Sequence, residues 1–206
     1  MLLITTGIII SYLIGSIPTA YIFARVLKGI DIRKHGSGNV GATNALRVLG
    51  KKAGITVLLL DVLKGVLAVL LVEAFLPCLS FDPLLLRLVF GLSCIIGHNW
   101  TVFLRFKGGK GMATTLGVLI GLAVKTSGLG WILVMLILTW LLIFVLFRIV
   151  SLASIFSALA LPVYVLFFRQ PLAINITAFV LMGFVIVRHK PNLVRLMQGK
   201  EQRLKF

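Results

Sequence analysis

Three short stretches of this chain hold most of its side chains capable of polar chemistry. The first runs Gly36-Ser37-Gly38-Asn39-Val40-Gly41-Ala42-Thr43-Asn44, followed by Arg47, Lys51 and Lys52. Glycines let backbone N–H groups converge on an anion, and a helix N-terminus adds positive potential. Ser37, Thr43 and Asn44 add hydroxyl and amide donors, and Arg47 can hold a phosphate through two N–H groups at once. The run matches G-x-G-x-x-G letter for letter, but that fingerprint needs a preceding strand in a βαβ unit, and here a long apolar run precedes it. It is not a P-loop either, because Ala42 stands where the lysine belongs. A linker with a helix cap at Thr43 or Asn44 would account for the glycines. It would not account for Arg47 and two lysines on the same approach, so the stretch is read as an anion site.

The second stretch is Phe106-Lys107-Gly108-Gly109-Lys110-Gly111-Met112-Ala113-Thr114-Thr115. Gly108, Gly109 and Gly111 crowd Lys110, whereas a loop that merely oriented the chain in a membrane would need only the charge. Gly41-Ala42-Thr43-Asn44 and Gly111-Met112-Ala113-Thr114-Thr115 look alike without establishing a repeat. Just upstream, Gly97-His98-Asn99-Trp100 closes an apolar run. Trp100 suits an interfacial anchor, and His98 is either a satisfied rim residue or a working one. The third stretch is Arg188-His189-Lys190-Pro191-Asn192, with Arg195 beyond it. Arg188 and Lys190 fit an orientation signal; His189 and Asn192 do not contribute to one.

Outside these stretches, Asp61 and Lys64 lie three residues apart inside an apolar run, a spacing that lets them pair on one helix face. Ionisable groups at such depth are partnered or functional, and this pair is read as structural, steadying the loops. Ser151 and Ser154 open another run, where helix capping is the plain alternative to a working role for Ser151.

What is missing narrows the chemistry. No histidine is followed five residues later by aspartate, so the H-x-x-x-x-D acyltransferase motif is absent. Five scattered acids cannot build the multi-aspartate metal centre of CDP-alcohol phosphotransferases. No Ser-His-Asp set is expected, since Asp31 alone among the aspartates lies near the basic loops. Cys78 and Cys94 form neither a metal site nor a disulfide framework. Phosphate chemistry is therefore expected without a protein-held metal and without a cofactor.

These residues must be positioned by membrane helices. Of 206 residues, 60% are hydrophobic and 13% charged, against roughly 25% charged in soluble domains. One soluble core could not hide so many apolar side chains. A crossing helix needs about 20 apolar residues, and the runs give approximate spans of 2–24, 53–76, 83–104, 112–127, 128–147, 151–168 and 171–187, in one polytopic domain, 1–206. No cleavable leader is apparent: the first run is too long and lacks a basic lead-in.

Lysine and arginine number 21 against 5 acids, a net charge of +16. With seven spans, 17 basic residues (in 25–52, 105–110, at 148 and in 188–205) share one side, and only Arg87, Lys125 and Arg169 take the other. If 112–127 failed to cross, the split would be 12 against 8. Basic residues gather in short cytoplasmic loops, so an all-α protein of seven transmembrane helices is expected, N-terminus outside and C-terminus cytoplasmic. All three histidines and both glycine-rich stretches then reach the cytoplasmic face. The basic excess suits membrane lipids and small anions; no nucleic acid and no obligate protein partner is expected.

The combination of Gly15-Ser16-Ile17-Pro18, Gly36 to Asn44, Asp61 with Lys64-Gly65, Gly97-His98, Phe106 to Gly111, Ser151 to Ser154 and Arg188-His189 through Asn192 resembles the bacterial acyl-phosphate:glycerol-3-phosphate acyltransferases. That resemblance runs the whole chain and implies a seven-helix inner-membrane enzyme. Such an enzyme moves a fatty acyl group from acyl phosphate to the sn-1 hydroxyl of glycerol 3-phosphate, giving lysophosphatidic acid and inorganic phosphate in phospholipid synthesis. It further implies that Ser37, Thr43, Arg47, Lys110, His189 and Asn192 line the phosphate site. Lys110, His189 and Arg47 take the catalytic roles. Ser37, Gly38, Gly41, Thr43, Asn44, Gly108, Gly109, Gly111, Ser151 and Asn192 bind substrate. The chemistry agrees: a mixed anhydride is already activated, so positioning and charge stabilisation suffice. Either His189 or the donor's own phosphate accepts the hydroxyl proton. The alternatives are an organic-phosphate transporter, which would place its cations near the midplane in symmetry-related halves, and a non-catalytic anionic-lipid scaffold, which would need neither the glycines nor His189.

Overall fold

A computed structural model describes residues 1–76 and 81–204; Cys78 and Lys205 lie outside the described residues. The described residues form ten α-helices with short 3-10 turns and no strand. They fall into two compact units, Met1–Lys125 and Thr126–Phe206.

The first unit holds α1 (Leu2–Ser16), α2 (Thr19–Lys28), α3 (Ala42–Leu49), α4 (Lys51–Leu70), α5 (Pro83–Asn99) and α6 (Met112–Lys125). Pro18 separates α1 from α2, because proline has no N–H for the carbonyl a turn back and its ring crowds that carbonyl. The break is stitched from α4. Lys64 Nζ donates to the Ile17 carbonyl, and Thr19 Oγ1 donates to Asp61 Oδ1 at 2.6 Å. The pairing expected from the Asp61–Lys64 spacing forms, at 2.7 Å, with both side chains buried. Helices α4 and α6 approach closely through Gly65 and Gly117, where an added Cβ would strike the carbonyls of Thr114 and Val62 respectively. Small residues of this kind let membrane helices pack backbone against backbone.

The second unit holds α7 (Leu129–Phe147), α8 (Val150–Phe167), α9 (Leu172–Arg188) and α10 (Lys190–Met197). In α7 only Leu129, Ile132 and Leu136 are buried, while Trp131, Leu142, Val145 and Leu146 are largely exposed. A helix apolar on every face with most of that surface uncovered has lipid for its solvent. Inside the unit, polar side chains pair with one another: the hydroxyls of Thr139 and Tyr164 lie 2.7 Å apart, and Trp140 Nε1 donates to Ser154 Oγ at 3.4 Å.

Among the described residues, five helical runs can cross a bilayer by length and composition: Leu2–Lys28, Lys51–Ala74, Pro83–Leu104, Leu129–Phe147 and Val150–Phe167. Counting α9 with α10, which meet at 60°, as one broken span makes six. Against the seven expected, the difference lies at α6. Its 14 residues extend only ~21 Å at 1.5 Å per residue, short of a ~30 Å hydrocarbon core.

Candidate functional site

Both glycine-rich loops sit on one buried apolar cluster of the first unit. Val40 and Ala45 from the first loop and α3 pack with Leu104 from the approach to the second, together with Ala20, Ala24, Ile32 and Val57.

The first loop is organised from within by one side chain. Asn44 Oδ1 accepts from Ser37 N at 2.9 Å, while Asn44 Nδ2 donates to the carbonyls of Ile32, His35 and Asn39. Asn44 is 1% exposed. Its amide therefore shapes the loop, a different role from the ligand donor expected of it. Gly36, at φ +61, has room for no Cβ because Asn44 Oδ1 occupies that space. The helix cap falls on Gly41, not on Thr43 or Asn44 as a plain linker would have it, and no side-chain bond crosses it. The first-turn N–H groups of Ala42 and Thr43 thus have no carbonyl within the helix to bond. Ser37 is exposed in the loop before this end, Thr43 is half-buried in the first turn, and Arg47 is exposed in the last turn of α3. Below it, Asp31 accepts from the Arg33 guanidinium at 2.7 Å. That bond holds the Asp31 carboxyl at about 2. Arg25 and Arg33 both lie over the Tyr21 ring, 5.4 and 5.3 Å from its centroid.

The second loop is held from outside, by the end of α5. The last carbonyls of a helix need partners from elsewhere. Here Gly109 N donates to the His98 carbonyl at 2.9 Å and Gly108 N to the Asn99 carbonyl at 3.2 Å. Ser16 Oγ reaches the Gly97 carbonyl, and Tyr12 Oη the carbonyl of Trp100. The N–H groups of Gly108 and Gly109, expected to face an anion, are thus engaged by α5. These two glycines carry the loop. A side chain at Gly109 would collide with the His98 imidazole, and one at Gly111, where φ is +77, with the Asn99 amide. Lys110 stands half-buried between them, directly before α6.

The structure also corrects the expectation that Asp31 alone among the aspartates approaches the basic loops. His98 Nδ1 lies 3.8 Å from Asp61 Oδ1. The two residues are far apart in sequence, but α4 and α5 pack together and bring the carboxylate to the end of α5.

In the second unit, α9 stops at Arg188 and α10 begins at Lys190 with Pro191 in its first turn, a position proline favours. His189 sits in the bend, 2% exposed. Its Nδ1 is 2.9 Å from the Val185 carbonyl. A carbonyl can only accept, so Nδ1 carries the proton, and in the neutral ring Nε2 is the basic atom.

Glu201, unremarked in the sequence, ties this corner together. Its Oε1 accepts from Ser151 Oγ at 2.7 Å and from Asn192 Nδ2, and its Oε2 from Arg195 Nε at 2.7 Å. Burial pushes the Glu201 carboxyl up, but the bonds from Ser151, Asn192 and Arg195 outweigh burial and leave it below the ordinary glutamate value. Ser151 and Asn192, both expected to contact substrate, each give a donor to this carboxylate. The available signal was that Glu201 is the one acid among the basic residues of 188–206.

The family model described as glycerol-3-phosphate acyltransferase matches residues 5–199. The glycerol-3-phosphate acyltransferase of Chlorobium phaeobacteroides is 41% identical, covering 96% of this chain and 94% of its own. Glycerol-3-phosphate acyltransferase 2 of Moorella thermoacetica is 46% identical, with 96% of each chain covered. Two crystal structures of PlsY, an integral membrane glycerol 3-phosphate acyltransferase, also match. Its glycerol 3-phosphate form has a TM-score of 0.86 at 38% identity, covering 98% of this chain and 96% of that one. Its lysophosphatidic acid form has a TM-score of 0.83 at 37% identity, covering 98% and 95%. This chain belongs to the glycerol-3-phosphate acyltransferase family.

Proposed function

We propose that this chain transfers a fatty acyl group from acyl phosphate to the sn-1 hydroxyl of glycerol 3-phosphate, releasing lysophosphatidic acid and inorganic phosphate. The observation that carries this reading is the near-full-length likeness to an acyltransferase crystallised in a glycerol 3-phosphate form and a lysophosphatidic acid form. Arg47 and Lys110 stabilise the oxyanion and the departing phosphate. The uncapped start of α3, with Ser37, Gly38, Gly41 and Thr43, cradles phosphate, while Asn44 holds that cradle in shape. Lys110 is aimed by Gly108, Gly109 and Gly111. Either His189, at Nε2, or the donor's own phosphate accepts the hydroxyl proton; His189 lies beside Asn192, whose amide Glu201 and Ser151 help to fix.

The chain works as one polytopic domain, 1–206, of a bacterial cytoplasmic membrane. It has seven spans with α6 as the fourth, the N-terminus outside and the C-terminus cytoplasmic. The acyl tail lies among the membrane helices and the phosphates at the cytoplasmic rim. All five acids have partners within the chain: Asp31 with Arg33, Asp61 with Lys64, Glu73 with Arg87, Asp82 with Leu84 N and Glu201 with its three donors. That engagement supports a reaction needing no metal.

The test is turnover by purified protein given glycerol 3-phosphate and a long-chain acyl phosphate. Phosphate and lysophosphatidic acid should appear in equal amounts, with excess EDTA present and with acyl-CoA a poor donor. A demand for magnesium, or equal use of acyl-CoA, would contradict the roles given to the loops. Glycerol 3-phosphate accumulating in proteoliposomes without acylation would establish a transporter.

A further inference from the structure

The proposed roles make no use of one buried titratable cluster, formed by Asp61, Lys64 and His98. Its two ends touch different things. At one end Lys64 and Thr19 bind it to the α1–α2 break. At the other, His98 Nδ1 lies 3.8 Å from Asp61 Oδ1, while the Nε2 edge of the same ring fills the space a Gly109 side chain would need. The His98 carbonyl also accepts the Gly109 N–H. One residue thus meets the backbone next to Lys110 both with its ring and with its carbonyl. His98 is 8% exposed and backed by a carboxylate. Asn99 continues the same surface, its carbonyl on Gly108 N and its buried amide under Gly111.

We propose that His98, seated against Asp61, is a positioning residue that sets the height and direction of the Gly109-Lys110 backbone and so places the Lys110 ammonium for phosphate departure. The proposal rests on the role given to Lys110 above. A loop that rests on an imidazole can settle when the imidazole is removed, and a displacement of about 1 Å can lower the rate by roughly 10²-fold. Because Lys110 acts on charge that develops in the transition state, the loss falls on kcat rather than on KM. Asp61 keeps the ring from rotating away from Gly109.

The experiment measures kcat, KM for each substrate and thermal unfolding in detergent for His98→Ala, His98→Gln, Gly109→Ala, the His98→Ala/Gly109→Ala double variant and Lys110→Ala. His98→Ala should lower kcat by roughly 10²-fold with both KM values within about threefold. Glutamine, whose amide reaches the Nε2 position, should restore a good part of that loss. Gly109→Ala should also be impaired, but in the His98→Ala background it should do no further harm, because the ring it strikes is gone. A kcat for His98→Ala within about threefold of the parent in a normally folded protein would overturn the proposal. So would losses that add independently in the double variant, or activity that follows thermal stability alone with no rescue by glutamine. Lys110→Ala separates the levels: if it retains full activity the assignment of the loop itself fails, whatever His98 does.

Discussion

The two glycine-rich loops of the first unit are alike in composition and open onto similar helix starts, yet they are built by opposite means. The first is braced from inside, by Asn44, whose amide makes four bonds to the loop and its approach. The second is braced from outside, by the carbonyls and side chains at the end of α5. An internally braced loop keeps its shape wherever it is attached, whereas an externally braced one takes the position of its support. The difference assigns them different vulnerabilities: the first fails at one side chain, the second at any residue that shifts α5 or thickens a glycine.

The sharpest test of the contrast is to remove the cation each loop presents. Lys110→Ala and Arg47→Ala should each lower kcat/KM by roughly 10²-fold or more, as for a preorganised donor to developing charge. Lys125→Ala, away from both loops in sequence, should change it by less than about threefold as an orientation charge. Equal losses in all three would show that bulk charge matters and the loops do not. Next in size is the internal brace. Asn44→Ala leaves loop carbonyls unpaired and should cost ~1–3 kcal/mol of stability, with faster hydrogen exchange across 36–41 and little change across 108–111. Exchange rising equally in both loops would erase the distinction between them.

The Glu201 corner offers a smaller effect and a pH handle. Glu201→Ala should lower the unfolding temperature, with ~1–3 kcal/mol lost as Asn192 and Arg195 lose their acceptor. Because the folded state depresses the Glu201 pKa, its contribution is full above the ordinary glutamate value and fades as pH falls below it. The parent should therefore lose stability in that range and the alanine variant should not share that loss. Smallest is Asp31→Asn. Arg33 holds Asp31 ionised down to about pH 2 at a partly exposed pair, and such pairs contribute little. Activity at neutral pH should change by less than about threefold, and what stability this pair contributes should fade as pH falls from the ordinary aspartate value towards about 2.

Much of this was legible because apolar run length and cation placement are local properties. The all-helical membrane fold and the Asp61–Lys64 pair follow from residues within a turn or a span of one another. What escaped depended on contacts between distant segments. Gly108 and Gly109 look like anion-binding glycines until α5 is seen to need their N–H groups. Asn44 looks like a donor for a ligand until four backbone groups claim it. Asp61 looks remote from the loops because a long intervening stretch of chain hides the packing of α4 on α5. Glu201 is one acid in a basic tail, and no spacing rule links it to Ser151. The placement of basic residues calls for seven crossings, whereas helix length gives five or six, because α6 is short and α9 is bent against α10.

Glu201 carries one more consequence, for the order of synthesis. It lies 50 residues beyond Ser151 and nine beyond Asn192, both of which it binds. A ribosome making this chain adds the Ser151 hydroxyl and the Asn192 amide before the carboxylate that ties α8 to α10. Both donors therefore exist before their shared acceptor, and the corner around His189 closes only once residue 201 is in place. Closure of this corner is a late latch, and chains halted before residue 201 would lack it.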